Sequence, residues 1–194
     1  MTHLQPNCDA MLSHLMHLHG DQLEGLVEIA WTDRDGKLSN AQLFDLGQLD
    51  GAAEFAAIRN TAGSNVYVGA ALRRETTRRD RRAGDGDFLA ASAFWCDVDD
   101  GDATRAMRER CGKHPPNFGV ITGKHPYPRA QAYWKLEEPI TDPAHLRRVN
   151  AALAVALGGD HTVENPGRVL RLGGSVAWPK KPGRVPEQTA FYAP

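Results

Sequence analysis

Long apolar runs are missing from this chain of 194 residues. No stretch approaches the roughly 18 consecutive apolar residues that a membrane-spanning helix needs, which argues against a membrane partner. Cysteine is scarce: Cys8, Cys96 and Cys111 are an odd number, far apart, with no CxxC pair. That argues against a disulfide scaffold and against a cysteine-based zinc site. The sequence has no GxxxxGK[ST] loop and no GxSxG elbow, so neither a P-loop nor a hydrolase nucleophile is encoded. Glycine pairs at Gly158 and Gly173 lack the order of a dinucleotide fold. Internal repeats and low-complexity tracts are absent. Charge of one sign is lacking too, since the net charge is −1 and does not advertise a nucleic-acid partner. The opening MTHLQPNCDA has neither the basic start nor the apolar stretch of a leader, which gives the expectation of a cytoplasmic protein.

What is present is an ordinary globular composition, 41% hydrophobic and 24% charged, sized for one domain or one domain with a small lobe. Apolar spacing predicts a helix over 9–24, a strand over 26–31, a short helix over 50–58 and a strand over 65–72. Further strands are expected at 88–99, 118–122, 130–136 and 168–172. A helix from Asp102, its cap, to about Cys111 and one from Thr141 or Asp142 to Leu157 separate them. Strands alternating with helices make the chain α+β with α/β-type units around a mixed sheet. Residues 1–87 read as an N-terminal lobe with an Arg-rich loop at 73–87. Residues 88–181 carry the chemistry, and 182–194 read as a tail. The strand-like QTAFYAP at the end gives the expectation of a chain continuing into a further domain.

Local charge is uneven. RRETTRRDRR, from Arg73 to Arg82, carries six arginines against two acids, and DVDDGD follows from Asp97 to Asp102. Such neighbours suit a protein that holds phosphates and divalent metal together, though charge alone favours a solvated loop beside an acidic turn. Strand alternation in SAFWCDVDD puts Phe94, Cys96 and Val98 on one face, and Trp95, Asp97 and Asp99 on the other. Two carboxylates projecting together repel unless a proton or cation intervenes, and Mg²⁺ or Mn²⁺ prefers such hard oxygens. An Asp-rich turn is the plainer alternative. In the strand after Gly123, Arg129, Gln131 and Tyr133 share a face, with donors suited to phosphate or base edges, or exposed on a half-buried sheet. A third segment runs from Asp160 through Arg168 and Arg171 to Lys180 and Lys181.

Taken in order, the three segments resemble the three conserved blocks of the archaeo-eukaryotic primase superfamily, nearest to the replication primases of plasmids, phages and integrated elements. Asp97-Val98-Asp99 resembles the first block. Thr122-Gly123 through Tyr133-Trp134 resembles the second, and Asp160 with Asn165-Pro166-Gly167-Arg168-Val169-Leu170-Arg171 the third. The likeness spans roughly half the chain. It implies a mixed-sheet core with an RRM-like part and a cleft between two α/β lobes. It further implies a template-dependent nucleotidyltransferase, a DNA primase or polymerase, acting on single-stranded DNA and nucleoside triphosphates with a replicative helicase as partner. Asp97, Asp99 and Asp160 would hold two ions, Mg²⁺ or Mn²⁺, that activate a primer 3′-hydroxyl and neutralise the triphosphate. Arg129, Gln131, Arg171, His125 and Lys180 would bind the nucleotide. Arg78, Arg79, Arg81 and Arg82 would contact the template backbone.

One departure stands out: where the family often has histidine before the aromatic pair, this chain has Gln131, and His125 lies six residues earlier. A non-catalytic DNA-binding module that recruits a helicase, and a metal-dependent nuclease, remain alternatives. The cations that follow the acids, Arg129, Arg171 and Lys180, favour polymerisation over a nuclease. His14, His17 and His19 lack a carboxylate or cysteine at metal spacing. Trp31, Phe55, Phe118 and Trp178 read as core aromatics, and Cys96 as a buried small hydrophobe.

Overall fold

The computed structural model describes residues 4–180 and 182–193, apart from the side chains at 102, 103, 106, 108 and 113. The cap expected at Asp102 and the basic end at Lys181 therefore lie outside the described residues. Four α-helices are present among them: α1 (Cys8–His19), α2 (Leu49–Thr61), α3 (Gly101–Arg110) and α4 (Pro143–Leu157). Asn7 caps α1 by accepting the Ala10 N–H, and Asp142 caps α4 by accepting that of Ala144, with Pro143 in the first turn. α1 stops at Gly20, short of the expected 24, and Leu23 beyond it is almost wholly exposed. Asp21 turns instead to Lys135.

Eleven strands are named in chain order: β1 (Leu26–Thr32), β2 (Leu38–Asp45), β3 (Val66–Gly69), β4 (Leu72–Arg73), β5 (Phe88–Val98), β6 (Phe118–Gly123), β7 (Arg129–Ile140), β8 (Val169–Arg171), β9 (Val176–Ala177), β10 (Glu187–Gln188) and β11 (Ala190–Tyr192). Nine form one sheet in the order β11-β6-β7-β5-β4-β1-β3-β8, with β2 on β1, and every pairing in it is antiparallel. Strand β2 was not expected, because LSNAQLFD alternates poorly. It forms by pairing with β1 along its length, burying Ala41 and Leu43. The expected tail also departs from prediction. β10 pairs with β9, and β11 pairs with β6.

Helices cover both faces of β5. On one face Cys96 and Val98 pack with Leu157 and Leu153 of α4, Met107 of α3 and Trp134. On the other, Trp95 joins Met11, Leu15, Phe118 and Tyr133 in the main core under α1 and α2. Trp95, which alternation sets on the face of the carboxylates, is buried, and its indole N–H donates to the Val163 carbonyl. His14 and His19 belong to this core as well. Burial lowers their pKa values to about 3 and about 4, so both are neutral, which suits packing and not a cationic role.

Strand β5 meets β4 only at Phe88 and Ala90. Past that point its edge is followed by the 160–163 turn, where the Asp160 N–H donates to the Asp97 carbonyl (2.8 Å). The long strand read at 65–72 is two short ones, broken at Ala70-Ala71, which lets β3 pair with β8 while β4 pairs with β5. Beside the break lies a wholly buried ion pair. Arg73 Nε donates to Glu28 Oε2 (2.9 Å), and Arg73 also donates to the carbonyls of Pro166 (2.7 Å) and Arg168 (3.3 Å). Glu28 accepts further from Arg82 and from the Ala83 N–H. Removing Arg73 leaves the buried Glu28 carboxylate with only Arg82 and the Ala83 N–H to offset its charge, and leaves the Pro166 and Arg168 carbonyls without their donor. Arg73→Ala should therefore cost about 3–5 kcal/mol of unfolding free energy, read by urea denaturation.

Candidate active site

The C-terminal end of β5, the start of β7, and β3 with β8 converge on a cleft of about 240 Å³. Asp97, Asp99, Arg129, Gln131, Arg171, Lys180 and Tyr67 line it, together with Trp178 and Arg184. Cross-strand pairing explains the first group: Asp97 sits opposite Gln131 on β5 and β7, and Tyr67 opposite Arg171 on β3 and β8. Alternation along β5 and β7 therefore turns Asp97, Asp99, Arg129 and Gln131 to the cleft, and the sheet brings two distant segments to the same opening.

Asp160 reaches this region from the turn after α4. The helix ends at Gly158 in the left-handed conformation, as a C-cap glycine should. At Gly159 a Cβ would lie 2.4 Å from Cys96 Sγ and 2.9 Å from the Asp97 carbonyl, so only glycine lets the turn approach β5 this closely. Asp160 Oδ1 caps its own turn by accepting the Thr162 N–H (2.7 Å).

Electrostatics single out Asp97. Burial, then the charges of Asp99 and Asp160, raise its pKa from 3.8 to about 7, against hydrogen bonding from Gln131 and the pull of Arg171. An acid cluster that holds a proton to neutrality is short of positive charge. Its donors are hard carboxylate oxygens, which fit a divalent cation of the Mg²⁺ or Mn²⁺ class. Among the described residues no three such side chains yet stand close enough to enclose an ion. Asp99 faces a different partner: Arg184 Nη2 lies 2.9 and 2.8 Å from its two oxygens, and Arg129 Nε lies 3.5 Å away.

Arg129, expected to grip phosphate, is buried and largely engaged. It donates to the His125 and Tyr127 carbonyls and to Glu187 (3.3 Å). A Cβ on Gly123 would lie 1.8 Å from Arg129 Nη2, so that glycine makes room for the guanidinium. Gln131 Oε1 is buried with no partner among the described residues. Arg171 stacks over the Tyr67 ring at 4.9 Å and donates to Asn65 (2.6 Å), which also anchors the backbone of Trp178. Trp178 is thus a cleft wall and not the core residue expected. Lys180 donates to the Gly36 carbonyl at the rim. His125 is exposed, and its backbone N–H meets Glu187.

The arginine-rich segment is less free than its composition suggests. Arg78 pairs with Asp80, Arg79 with Asp45, and Arg82 with buried Glu28, while Arg81 stands 3.9 Å from Asp87. Asp85 then accepts from Asn165, the Gly167 N–H and Arg147, clamping the turn that leads to β8. Sequence reading missed the roles of Tyr67, Arg184 and Glu187. It also passed over Arg168 as a site residue. Burial lowers the pKa of Arg168 against the pull of Asp160 and Asp97, and its Nε has no partner among the described residues.

No protein-family model matches the chain, and comparison with curated protein sequences gives no match. Solved structures do match. The chain resembles the primase-polymerase domain of cyanophage S-2L at a TM-score of 0.69 and 23% identity, over 96% of this chain and 90% of that one. It resembles the primase RepB' at a TM-score of 0.64 and 14% identity, covering 95% of this chain and 54% of that one. The catalytic domain of RepB' in complex with initiator DNA matches at a TM-score of 0.59 and 14% identity, over 87% of this chain and 76% of that one. The likeness shows the fold, α+β around an antiparallel sheet, shared with these primase domains.

The raised Asp97 pKa has a measurable consequence. Unfolded aspartate loses its proton near 3.8 and folded Asp97 near 7, so its contribution to stability is full below about pH 4 and lost as pH rises to about 7. Asp97→Asn keeps the neutral form. Its stability should match the wild type near pH 4 and exceed it by about 4 kcal/mol at pH 8, followed by thermal denaturation without divalent metal.

Proposed function

We propose that the chain is a template-dependent nucleotidyltransferase, a DNA primase or polymerase that makes or extends primers for a plasmid, phage or integrated element. The observation that carries this reading is a single cleft joining Asp97 and Asp99 to Arg171, Lys180 and the aromatic faces of Tyr67 and Trp178. Its presence in a fold shared with a phage primase-polymerase supports the reading further. Template and nucleoside triphosphates are the proposed partners, and a replicative helicase is a further one.

Asp97, Asp99 and Asp160 would hold two divalent ions, Mg²⁺ or Mn²⁺, which when bound supply acidification of the 3′-hydroxyl and neutralisation of the leaving pyrophosphate. The chain's own residues do the rest. Arg171, held by Asn65 and Tyr67, presents a fixed guanidinium to the triphosphate at little entropic cost. Gln131 offers its amide beside Asp97. Trp178 and Tyr67 give flat surfaces for a base or sugar. Arg129 acts from below, holding the 123–129 loop in shape, with His125 outside the cleft as an outer contact at most. Arg78 and Arg81 are exposed and suit template phosphates, Arg78 by exchanging its exposed partner Asp80; Arg79 shares its charge with Asp45, and Arg82 is committed first to Glu28.

Primer extension on single-stranded DNA with labelled nucleotides and Mn²⁺ or Mg²⁺ tests the assignment. Asp97→Ala, Asp99→Ala and Asp160→Ala should each abolish incorporation while remaining folded. Gln131→Ala should raise the half-saturating triphosphate concentration by about fivefold, the value of a neutral hydrogen bond, and Arg171→Ala by more, since a charge-assisted contact is stronger. A folded wild type that binds no triphosphate with Mn²⁺ by calorimetry would overturn the enzyme in favour of a non-catalytic replication module.

The arginines make a separate expectation. Arg78→Ala with Arg81→Ala should flatten the dependence of log binding constant on log salt by about 0.7 for each template phosphate left without its cation, with folding unchanged. Arg82→Ala should lower stability instead. Fluorescence anisotropy on a labelled oligonucleotide reads the slope.

A further inference from the structure

Arg184 lies outside every block of resemblance, in a stretch whose composition reads as tail, yet among the described residues it pairs with Asp99 more closely than Arg129 does. β9 and β10 pair through Ala177 with Glu187 and Val176 with Gln188, so the chain between them is a hairpin loop pinned at both ends. Glu187 fixes one end further, accepting from the Lys124 and His125 N–H groups (2.9–3.3 Å) and from Arg129. Trp178, hydrogen-bonded to Asn60 and Asn65, fixes the other. Trp178, Pro179, Lys180, Arg184 and Val185 of this loop all line the cleft.

One nitrogen of Arg184 spans both Asp99 oxygens. Burial works against the charge of Arg184, but the hydrogen bonds and charge of Asp99 more than offset it and raise the pKa. A divalent cation bound directly by Asp99 needs at least one of those oxygens. Two cations on one partly exposed carboxylate compete. A guanidinium displaced from Asp99 remains tethered in a cleft that already holds Arg171 and Lys180, where the phosphates of a bound triphosphate would offer it a new anion.

We propose that Arg184 is an exchangeable internal counter-ion: it occupies Asp99 before loading, and moves to the phosphates when metal and triphosphate enter together. This rests on the nucleotidyltransferase reading and adds to it a positioning residue that couples the two loading events. Metal alone must displace Arg184 into a cationic surround. Metal with triphosphate gives it a new partner, so each ligand tightens the other, and by linkage the coupling is reciprocal.

The test uses the full chain, with Mn²⁺ and a non-hydrolysable nucleoside triphosphate titrated singly and together by calorimetry. Arg184→Ala should bind Mn²⁺ alone roughly three- to tenfold more tightly than wild type, the range of one partly exposed charge pair. In the same variant the tightening of Mn²⁺ by triphosphate should shrink by a similar factor, and triphosphate should bind more weakly. Opposite shifts of the two ligands are something that loss of structure cannot produce. Arg184→Lys keeps the charge, loses the fork, and should fall between the two; it also serves if the alanine variant does not fold. Wild-type Mn²⁺ binding that Asp97→Ala abolishes, with no gain in Arg184→Ala, overturns the exchange and leaves the enzyme standing. No Mn²⁺ binding in either protein overturns both.

Discussion

The buried pairing of Glu28 with Arg73 is the interaction on which the layout of this protein turns. A glutamate in the middle of an apolar strand has no access to water, and its charge is tolerable only because two guanidinium groups and a backbone N–H converge on it. The same Arg73 reaches the carbonyls of Pro166 and Arg168, so the network spans residues far apart in sequence. It sits beside the break between β3 and β4, where one sheet begins to serve two sets of neighbours. Asp85 clamps the 165–167 turn from the other side. Between them the turn has little freedom, and Arg171 four residues on inherits that placement.

Around the cleft the energetics run the other way. Asp97 is buried and also feels the charges of Asp99 and Asp160, and its raised pKa records the cost. Folds commonly store such conflict where ligands are meant to resolve it. Here the resolution is partly internal, because Arg184 and Arg129 already lean on Asp99. Gly123 and Gly159 are the places where the backbone makes this crowding sterically possible.

Much of this was legible in the sequence, and the omissions have physical causes. Alternation in SAFWCDVDD correctly set Asp97 and Asp99 on one side, and the capping residues of α4 announced themselves through Asp142, Pro143 and Gly158. Strand β2 escaped because its order depends on pairing with β1, not on its own pattern. Glu28 stands in the strand expected over 26–31, and nothing local says that an arginine 45 positions away will meet it. Arg184 and Glu187 lie among prolines and glycine with no periodicity to assign them a face. Trp178 read as core because a lone tryptophan carries no sign of which of its faces stays wet. The arginine cluster looked like a nucleic-acid surface, yet charge density cannot reveal that Glu28, Asp45 and Asp80 claim several of its members.

That cluster also has a part to play unrelated to ligands. β2 pairs only with β1 among the described residues, so its outer edge presents unpaired backbone groups, a template on which another strand could grow. The Leu43 N–H on that edge is taken by the Arg79 carbonyl (2.9 Å), and the Arg79 side chain folds back onto Asp45. The arginine-rich segment thus runs along the margin of the sheet as a charged selvedge, ending it where it would otherwise invite edge-to-edge self-association.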